Sequence, residues 1–156
     1  MSRVVVNEIQ AKVGNDISFN DAAKIDTLKG KTTTGSISVT GEGNNTTTNL
    51  QQGLCKQWIH FTGSGTIAIL DSFNTTTIVD NGSGDYQVTI ANDMSNVNYS
   101  VSGTMCYPTT GNSSAARQGP AVNEHAVGSY QVYCGSNTTT LDDVAVINLQ
   151  TMGDLA

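Results

Sequence analysis

Apolar and polar residues alternate through residues 56–90, and the pattern predicts a strand, a tight turn, two strands, a second tight turn and a further strand. In the first strand, Ile59 and Phe61 lie on one face, while Trp58 and His60 lie on the other, because successive side chains of a strand point to opposite sides. Nothing in this stretch is typical of a reaction centre. It is therefore interpreted as scaffold, which favours structure and binding over catalysis.

The last strand of this stretch shows the same period of two. Tyr86, Val88 and Ile90 alternate with polar residues, which is the pattern of a strand that buries one face. Glycine recurs at 63–65 and 82–84, where tight connections favour residues that tolerate a positive φ. The local sequence thus predicts both the strands and the turns that join them.

Only short elements are expected before residue 56. The pattern predicts strands around 4–9, 17–19 and 35–40, a helical turn at 20–25 and a brief turn at 50–54. Residues 41–49 are rich in Gly, Asn and Thr, and they are interpreted as a loop and the best domain boundary. This predicts an N-terminal attachment or trimerisation segment at 1–43 and a β domain at 50–156.

The segment after residue 90 contains the longest clean alternation in the chain, which we interpret as a central strand. Its apolar positions, expected on one face, are Val97, Tyr99, Val101, Met105 and Tyr107. Residues 108–123 hold both prolines and no periodicity, so they are interpreted as a long loop. Further strands are predicted from 127 or 129 to 134 and at 143–149. We expect the tail at 150–156 to be loose or packed on a neighbour.

The predicted fold class is all-β: an antiparallel β-sandwich or jelly-roll-like domain preceded by a short extended N-terminal segment. Thr and Val suit the pleated surface of a strand, while Asn and Gly suit turns. Hydrophobic residues make up 37% of the chain and charged residues only 13%. Because so lean a core gains burial from contacts between copies, we expect an obligate oligomer.

Charge and hydropathy exclude two classes of partner. The net charge is −6 and no basic run is present, whereas nucleic-acid binding requires clustered Lys and Arg. No apolar run approaches the ~20 residues of a membrane span, so no membrane insertion is expected. The first residues lack the core of a signal peptide, which predicts a protein made in the cytoplasm of its producing cell.

The three cysteines, Cys55, Cys106 and Cys134, match no zinc or redox spacing. An odd count disfavours a closed disulfide framework, so we expect thiols on strands, small and often buried. One bridge between two of them stays an open alternative, because only geometry decides whether two cysteines pair.

Candidate catalytic groups are few. His60 lies within a strand, where a packed or surface residue is expected. Glu124 and His125 form the only adjacent acid–imidazole pair, and a metal shared around a three-fold axis is the alternative to a plain dipeptide. Asp142 and Asp143 are neighbours on a predicted strand, so their carboxylates should point to opposite faces. We therefore expect no catalytic residue, no cofactor and no metal site.

Two segments are candidates for binding. The start of the chain has small apolar elements that suit packing on a larger assembly, and its candidate anchoring residues are Val4, Val6, Ile9, Ile17 and Phe19. The long loop on a rigid β scaffold is a common kind of recognition surface, with a solvent-exposed or subunit-packing loop as the alternative. Its candidate recognition residues are Thr109, Asn112, Arg117 and Gln118. The many Asn, Ser, Thr and Tyr residues suit hydrogen bonding to polyols and glycans.

Several strand and turn residues together form a recognisable pattern. They are Gly53, Leu54, Lys56, Trp58, Ile59, Phe61, Gly63, Gly65, Thr66, Ala68 and Ile69, followed by residues 71–74, 80–82, 84–86, 92–94 and 97–99. This pattern resembles the C-terminal β-module of tail-fibre-like virion proteins of bacteriophages, especially marine ones. Residues 5–10 and 14–15 are similar to the short segments that begin such proteins. The resemblance covers residues 50–107 well, the first 20 residues weakly and residues 108–156 hardly at all.

The resemblance implies a homotrimeric structural protein of the virion, made and assembled in the bacterial host cytoplasm, with no enzymatic activity. The implied partners are copies of itself, other tail or capsid proteins, and a glycan or protein of the host surface. Tail fibres usually have a long shaft, and no such shaft is expected within the 156 residues of this sequence. A capsid decoration protein that binds and stabilises the phage head is therefore the alternative function. A glycan depolymerase is disfavoured, because it needs grouped carboxylates on a long scaffold.

Overall fold

The computed structural model describes residues 25–28, 37–40, 46–106, 120–135 and 140–156. These residues form ten strands and one helical turn, and all strand pairings among them are antiparallel. In chain order the elements are β1 (Ser38–Thr40), β2 (Thr47–Asn49), α1 (Leu50–Gly53), β3 (Cys55–Thr62), β4 (Ala68–Phe73), β5 (Thr75–Gly82), β6 (Asp85–Ile90), β7 (Ser100–Cys106), β8 (Ala121–Ala126), β9 (Ser129–Tyr133) and β10 (Val146–Met152). The chain is therefore all-β, as its alternating pattern predicts.

The described strands form one small hairpin and two four-stranded sheets. The hairpin is β1–β2; the first sheet has the order β4-β3-β10-β7, and the second sheet has the order β5-β6-β9-β8. The chain crosses from the first sheet to the second at Asn74, whose φ of 55° is one that Asn tolerates better than most residues. The Asn74 amide donates to the Lys56 carbonyl oxygen at 2.9 Å, and its Oδ1 accepts from the Asn92 backbone at 2.8 Å. These bonds fix the crossing.

One buried hydrophobic cluster receives side chains from both sheets. The first sheet contributes Ile59, Phe61, Ile147 and Leu149, the second contributes Tyr86, Val88, Ile90, Tyr130 and Val132, and the connecting segments contribute Met94, Tyr99, Cys134 and Val144. The rings of Phe61 and Tyr86 meet edge to face with their centroids 5.4 Å apart, an arrangement that aromatic pairs favour. The predicted inward faces of β3 and β6 are thus confirmed.

A buried hydrogen-bond network lies inside this cluster. Gln57 Oε1 on β3 accepts from the Tyr130 hydroxyl at 3.0 Å and from the Thr151 hydroxyl at 2.7 Å. Gln57 Nε2 donates to the Thr75 hydroxyl at 2.8 Å. Both ends of the amide therefore have partners, which offsets the cost of burying it. The network joins the sheets, because Gln57 and Thr151 lie in the first sheet and Tyr130 lies in the second.

The prediction of a central strand over residues 97–107 is wrong. The strand there is β7, which starts after Tyr99 and pairs only with β10 at the edge of the first sheet among the described strands. Val97 is exposed and Tyr99 is buried beside the strand, while Val101 and Met105 pack on the core. Alternation reports which faces are buried but carries no information about the number of neighbouring strands. Tyr107 lies outside the described residues.

Two predicted loops are shorter than expected where the structure describes them. Residues 47–49 form β2, because they pair with β1. Residues 121–123 begin β8, because they pair with β9. The remainder of both loops, 41–45 and 108–119, lies outside the described residues, and the domain boundary near 43–50 stays a prediction.

The final strand and the tail also differ from expectation. The strand runs from Val146 to Met152 rather than over 143–149, because it pairs with both β3 and β7 over that range. The tail is not loose, because Thr151 is fully buried and Leu155 forms a β-bridge with Met94; its packing on a neighbour stays a prediction. Residues 150–156 therefore pack on their own domain.

The elements predicted around 4–9 and 17–19, and most of the turn predicted at 20–25, lie outside the described residues. The strand predicted at 35–40 is confirmed in part by β1, and the turn predicted at 50–54 is confirmed by α1. Asn49 caps α1, since its side-chain oxygen accepts from the backbone of Gln51 at 2.8 Å. The short strand predicted at 127 or 129 to 134 is confirmed by β9.

Candidate functional site: a groove on the outer face of the first sheet

An open groove of about 600 Å³ crosses the outer face of the first sheet. Its side chains come from all four strands, and the lining residues are Trp58, Ile59, His60, Asp71, Ser102, Gly103, Thr104, Asn148, Leu149 and Gln150. Ile59 and Leu149 belong to the core, so they contribute to the floor of the groove. The outward positions of the four strands supply the groups that face solvent.

The strand register arranges these outward groups in two rows. Across the sheet from β4 to β7, the first row is Phe73, Trp58, Gln150 and Ser102, and the second row is Asp71, His60, Asn148 and Thr104. Neighbours within a row sit on adjacent strands about 4.8 Å apart, and the rows are about 7 Å apart along the strands. The result is a fixed grid of aromatic, amide, hydroxyl and carboxylate groups on paired strands.

Two aromatic rings occupy one corner of this grid. Trp58, the only tryptophan of the chain, lines the groove and is half-buried. Phe73 lies opposite Trp58 in the register, on edge strand β4, and 52% of it is exposed. An aromatic corner beside amide and hydroxyl groups gives the groove one apolar end and one polar end.

The polar groups of the groove have spare hydrogen-bonding capacity. Within the part of the chain that the structure describes, the side chains of His60, Trp58 and Asn148 make no hydrogen bond. The Gln150 amide makes one long bond of 3.4 Å to the Ser102 hydroxyl. An amide offers two donors and an acceptor, so most of this capacity faces solvent.

The outer face of the second sheet differs in this respect. There the Asp85 carboxylate accepts from the Gln131 amide at 2.7 Å and from the Asn81 amide at 3.4 Å. These side chains hydrogen-bond to one another across neighbouring strands and the adjoining turn. Asp85 and Gln131 are thus partnered on that face, whereas His60 and Asn148 of the groove make no side-chain hydrogen bond within the described part of the chain.

Two of the acidic and imidazole residues singled out in the sequence, His125 and Asp143, make contacts within the fold. The His125 ring on β8 packs edge-on against Tyr99 with centroids 4.8 Å apart. Asp143 precedes β10, and its Oδ1 accepts from the Gly84 backbone at 2.8 Å and lies 3.2 Å from the Tyr86 hydroxyl. Glu124 lies on β8 with a φ of 47°. His60 alone among them lines the groove.

Burial shapes the titration of several core groups. It raises the pKa of the Tyr99 hydroxyl to about 12 and that of the Cys134 thiol to about 12. Burial, followed by the nearby Asp143 carboxylate, raises the pKa of Tyr86, and burial raises that of Tyr130. The three sulfurs are thiols, as expected, with Cys134 buried and Cys106 at the exposed end of β7. A buried thiol with a raised pKa is a poor nucleophile.

The anchoring residues Val4, Val6, Ile9, Ile17 and Phe19 and the recognition residues Thr109, Asn112, Arg117 and Gln118 all lie outside the described ranges. Trp58 and His60 were assigned to the outward face of a strand, which is where the groove lies. The contributions of Asp71, Asn148 and Gln150 had no local signal, because they depend on which strands pair and in which register.

Comparison of the chain with protein-family models, with curated proteins and with solved structures found no match in any of the three sets. No helix among the described residues has the length and apolar character needed to cross a membrane. The same residues contain no group of three or more His, Cys, Asp or Glu side chains placed to hold a metal ion.

Proposed function

We propose that the chain is a non-enzymatic structural protein of a bacteriophage virion, a short homotrimeric tail-fibre-like appendage that attaches the particle to its host. The observation that carries this proposal is the groove, because paired strands hold its aromatic and hydrogen-bonding groups in fixed positions facing solvent. Binding sites of this kind need a rigid scaffold with a few convergent polar groups. In this proposal the two sheets pack as a β-sandwich that presents the groove.

The edges of the sheets support association between copies. β4 and β5 are edge strands of the two sheets; neither contains Lys, Arg or Pro, and each contains a single charged residue, Asp71 and Asp80. Leu70 on β4 is 56% exposed, and Val79 on β5 is 44% exposed. Proteins usually protect edge strands with charge or proline or cover them with other chain, because bare edges pair with other chains. In a homotrimer, a second copy of the chain would cover these edge strands.

The location of the protein on the particle tests the proposed function. Particles labelled with an antibody against the folded chain and viewed by electron microscopy should carry label at the tail, in a handful of copies per particle. Label spread over the head in hundreds of copies would instead establish the capsid decoration function. Absence of the chain from purified particles would overturn both virion functions.

The oligomeric state is tested separately by light scattering. The full chain should give about 49 kDa, three times the 16.3 kDa of one copy. Leu70→Lys and Val79→Lys place charges on the two edges and should shift the mass towards the monomer. Val127→Lys, at an exposed apolar position between β8 and β9, is the matched control and should leave the mass unchanged. A monomer mass for the unaltered chain at micromolar concentration would refute the trimer.

A further inference from the structure

The groove has the composition of a saccharide site, and we propose that it binds a neutral oligosaccharide. A sugar ring presents an apolar C–H face together with hydroxyl groups, each of which donates one hydrogen bond and accepts others. The flat Trp58 indole suits the apolar face, and the amides of Asn148 and Gln150 suit the hydroxyls. The order of the two rows places these groups side by side on two adjacent strands, β3 and β10.

Each polar residue has a definite part in this assignment. Asn148 lies between His60 and Thr104 in its row, so its amide has donor and acceptor groups on both sides. The Asp71 carboxylate at the end of that row accepts from hydroxyls and donates to none. The amide capacity left unused by the protein is available without breaking a strong internal bond.

The charge of the groove selects a neutral ligand. Among the described residues that line it, Asp71 is the one acidic residue, and neither Lys nor Arg occurs. The whole chain carries a net charge of −6. Among these described lining residues, a sialylated, sulfated or phosphorylated glycan would meet a carboxylate without a compensating cation, which disfavours its binding.

The shape of the groove selects a ligand longer than one ring. Four strands at spacings of about 4.8 Å give a row that is roughly 14 Å long. The lining residues come from all four strands, so an oligosaccharide can lie across the strands with one ring on Trp58 and the next over the amides. Open grooves over a sheet bind through contacts spread along their length, which suits repeated sugar units.

The inference deepens the proposed attachment function and rests on it for the source of the ligand, a neutral polysaccharide of the host surface. The first experiment applies the full chain to a printed array of neutral gluco-, galacto- and manno-oligosaccharides with sialylated and sulfated counterparts. Binding to at least one neutral series is expected, with weaker or no binding to its charged counterparts. Titration of the same free oligosaccharide should change the fluorescence of Trp58, the only tryptophan in the chain.

Variants assign the binding to the groove. Trp58→Ala should weaken binding about tenfold, and Asn148→Ala about three- to tenfold, as measured by calorimetry. Gln150→Ala should also weaken binding. Its matched control is Gln87→Ala, which should leave binding unchanged, because Gln87 is an exposed glutamine on the outward face of the second sheet. Asn148 is exposed, so its variant should keep the urea midpoint of the unaltered chain and remain informative if Trp58→Ala unfolds.

Three results would overturn the saccharide assignment. They are no binding to any neutral oligosaccharide at millimolar concentration, binding confined to charged glycans, and binding that Asn148→Ala and Gln150→Ala leave unchanged. Loss of the oligomer in Trp58→Ala, measured by light scattering, would make the groove a subunit contact instead.

A chain that binds sugar but is absent from particles would refute the virion function and leave the groove assignment standing. A chain that is present on particles but binds no neutral sugar would refute the groove assignment and leave the virion function standing.

Discussion

The hydroxyl of Tyr86 on β6 donates a 2.7 Å hydrogen bond to the carbonyl oxygen of Gly63, just after β3 in the other sheet. The approach is so close that a Cβ added to Gly63 would lie 2.5 Å from the Tyr86 hydroxyl oxygen. Position 63 therefore requires glycine because the two sheets approach closely there, and not because its backbone has a positive φ.

Gly63→Ala should lower the free energy of unfolding by about 1–3 kcal/mol, because the added methyl group displaces the Tyr86 ring from a filled core. Urea denaturation followed by Trp58 fluorescence measures the effect. Gly53→Ala is the control, since a Cβ there has no neighbour within 4 Å and the residue lies in α1. Equal losses in the two variants would contradict the close approach.

Gln57→Leu should cost about 2–4 kcal/mol, because it leaves the buried hydroxyls of Tyr130 and Thr151 without their acceptor. The triple variant Gln57→Leu, Tyr130→Phe, Thr151→Val removes all three polar groups. It should be more stable than the single variant in urea denaturation, because no buried hydroxyl is then left unpaired. A triple variant that loses the sum of three separate costs would show that the network is not a unit.

Gly84→Ala should be much more damaging than Gly65→Ala, although both glycines have a positive φ, 65° and 71°. A Cβ at Gly84 would lie 2.3 Å from the Cys134 carbonyl oxygen, whereas none of the neighbours of Gly65 is within 4 Å. Gly65→Ala should cost about 1–2 kcal/mol from backbone strain alone. Gly84→Ala adds a clash with backbone and should abolish cooperative thermal unfolding. Similar melting temperatures for the two variants would refute this reading.

Stability should fall as the pH rises above about 8, because the folded protein holds protons that the unfolded chain releases. Burial raises the pKa of Cys134 to about 12 and of Tyr99 to about 12, while the unfolded values are about 8.5 and about 10. A raised folded pKa gives stability that is complete below the unfolded pKa and is lost above it.

The measurement is the urea midpoint at a series of pH values. It should stay level up to about pH 8, fall first as the unfolded Cys134 ionises, and fall more steeply above about pH 10 as tyrosines join. The Cys134→Ala variant should lose the decrease in midpoint that begins above about pH 8 and keep the steeper decrease above about pH 10. A midpoint that stays constant up to about pH 11 would contradict the burial of these groups.

The sequence predicts local properties of this fold well, and the reason is physical. A period of two depends only on which face of a strand is buried, so Ile59, Phe61, Tyr86 and Val88 could be assigned inward without knowledge of their partners. The order of strands depends on pairing between distant segments. For that reason β7 was placed at the centre of a sheet, a position that β10 occupies.

The lining residues of the groove likewise divide into those that the local sequence predicts and those that depend on strand pairing. Trp58 and His60 could be assigned to an outward face from their own strand. Asn148 and Gln150 become part of the same surface only through the pairing of β10 with β3. The hydrogen bonds between Tyr86, Gly63 and Asp143 likewise join positions that no local pattern connects.

The central position of β10 has a consequence for how the protein reaches its native state. Thr151 and Gln57, which meet in the finished sheet, are 94 residues apart in sequence. Contacts over such distances close slowly, and proteins dominated by them fold in milliseconds to seconds. Until β10 inserts, β3 and β7 each present a bare edge that another nascent chain can pair with. Fast synthesis at high protein concentration is therefore expected to favour aggregation before β10 completes the first sheet. Slower synthesis at lower temperature is expected to favour the native protein.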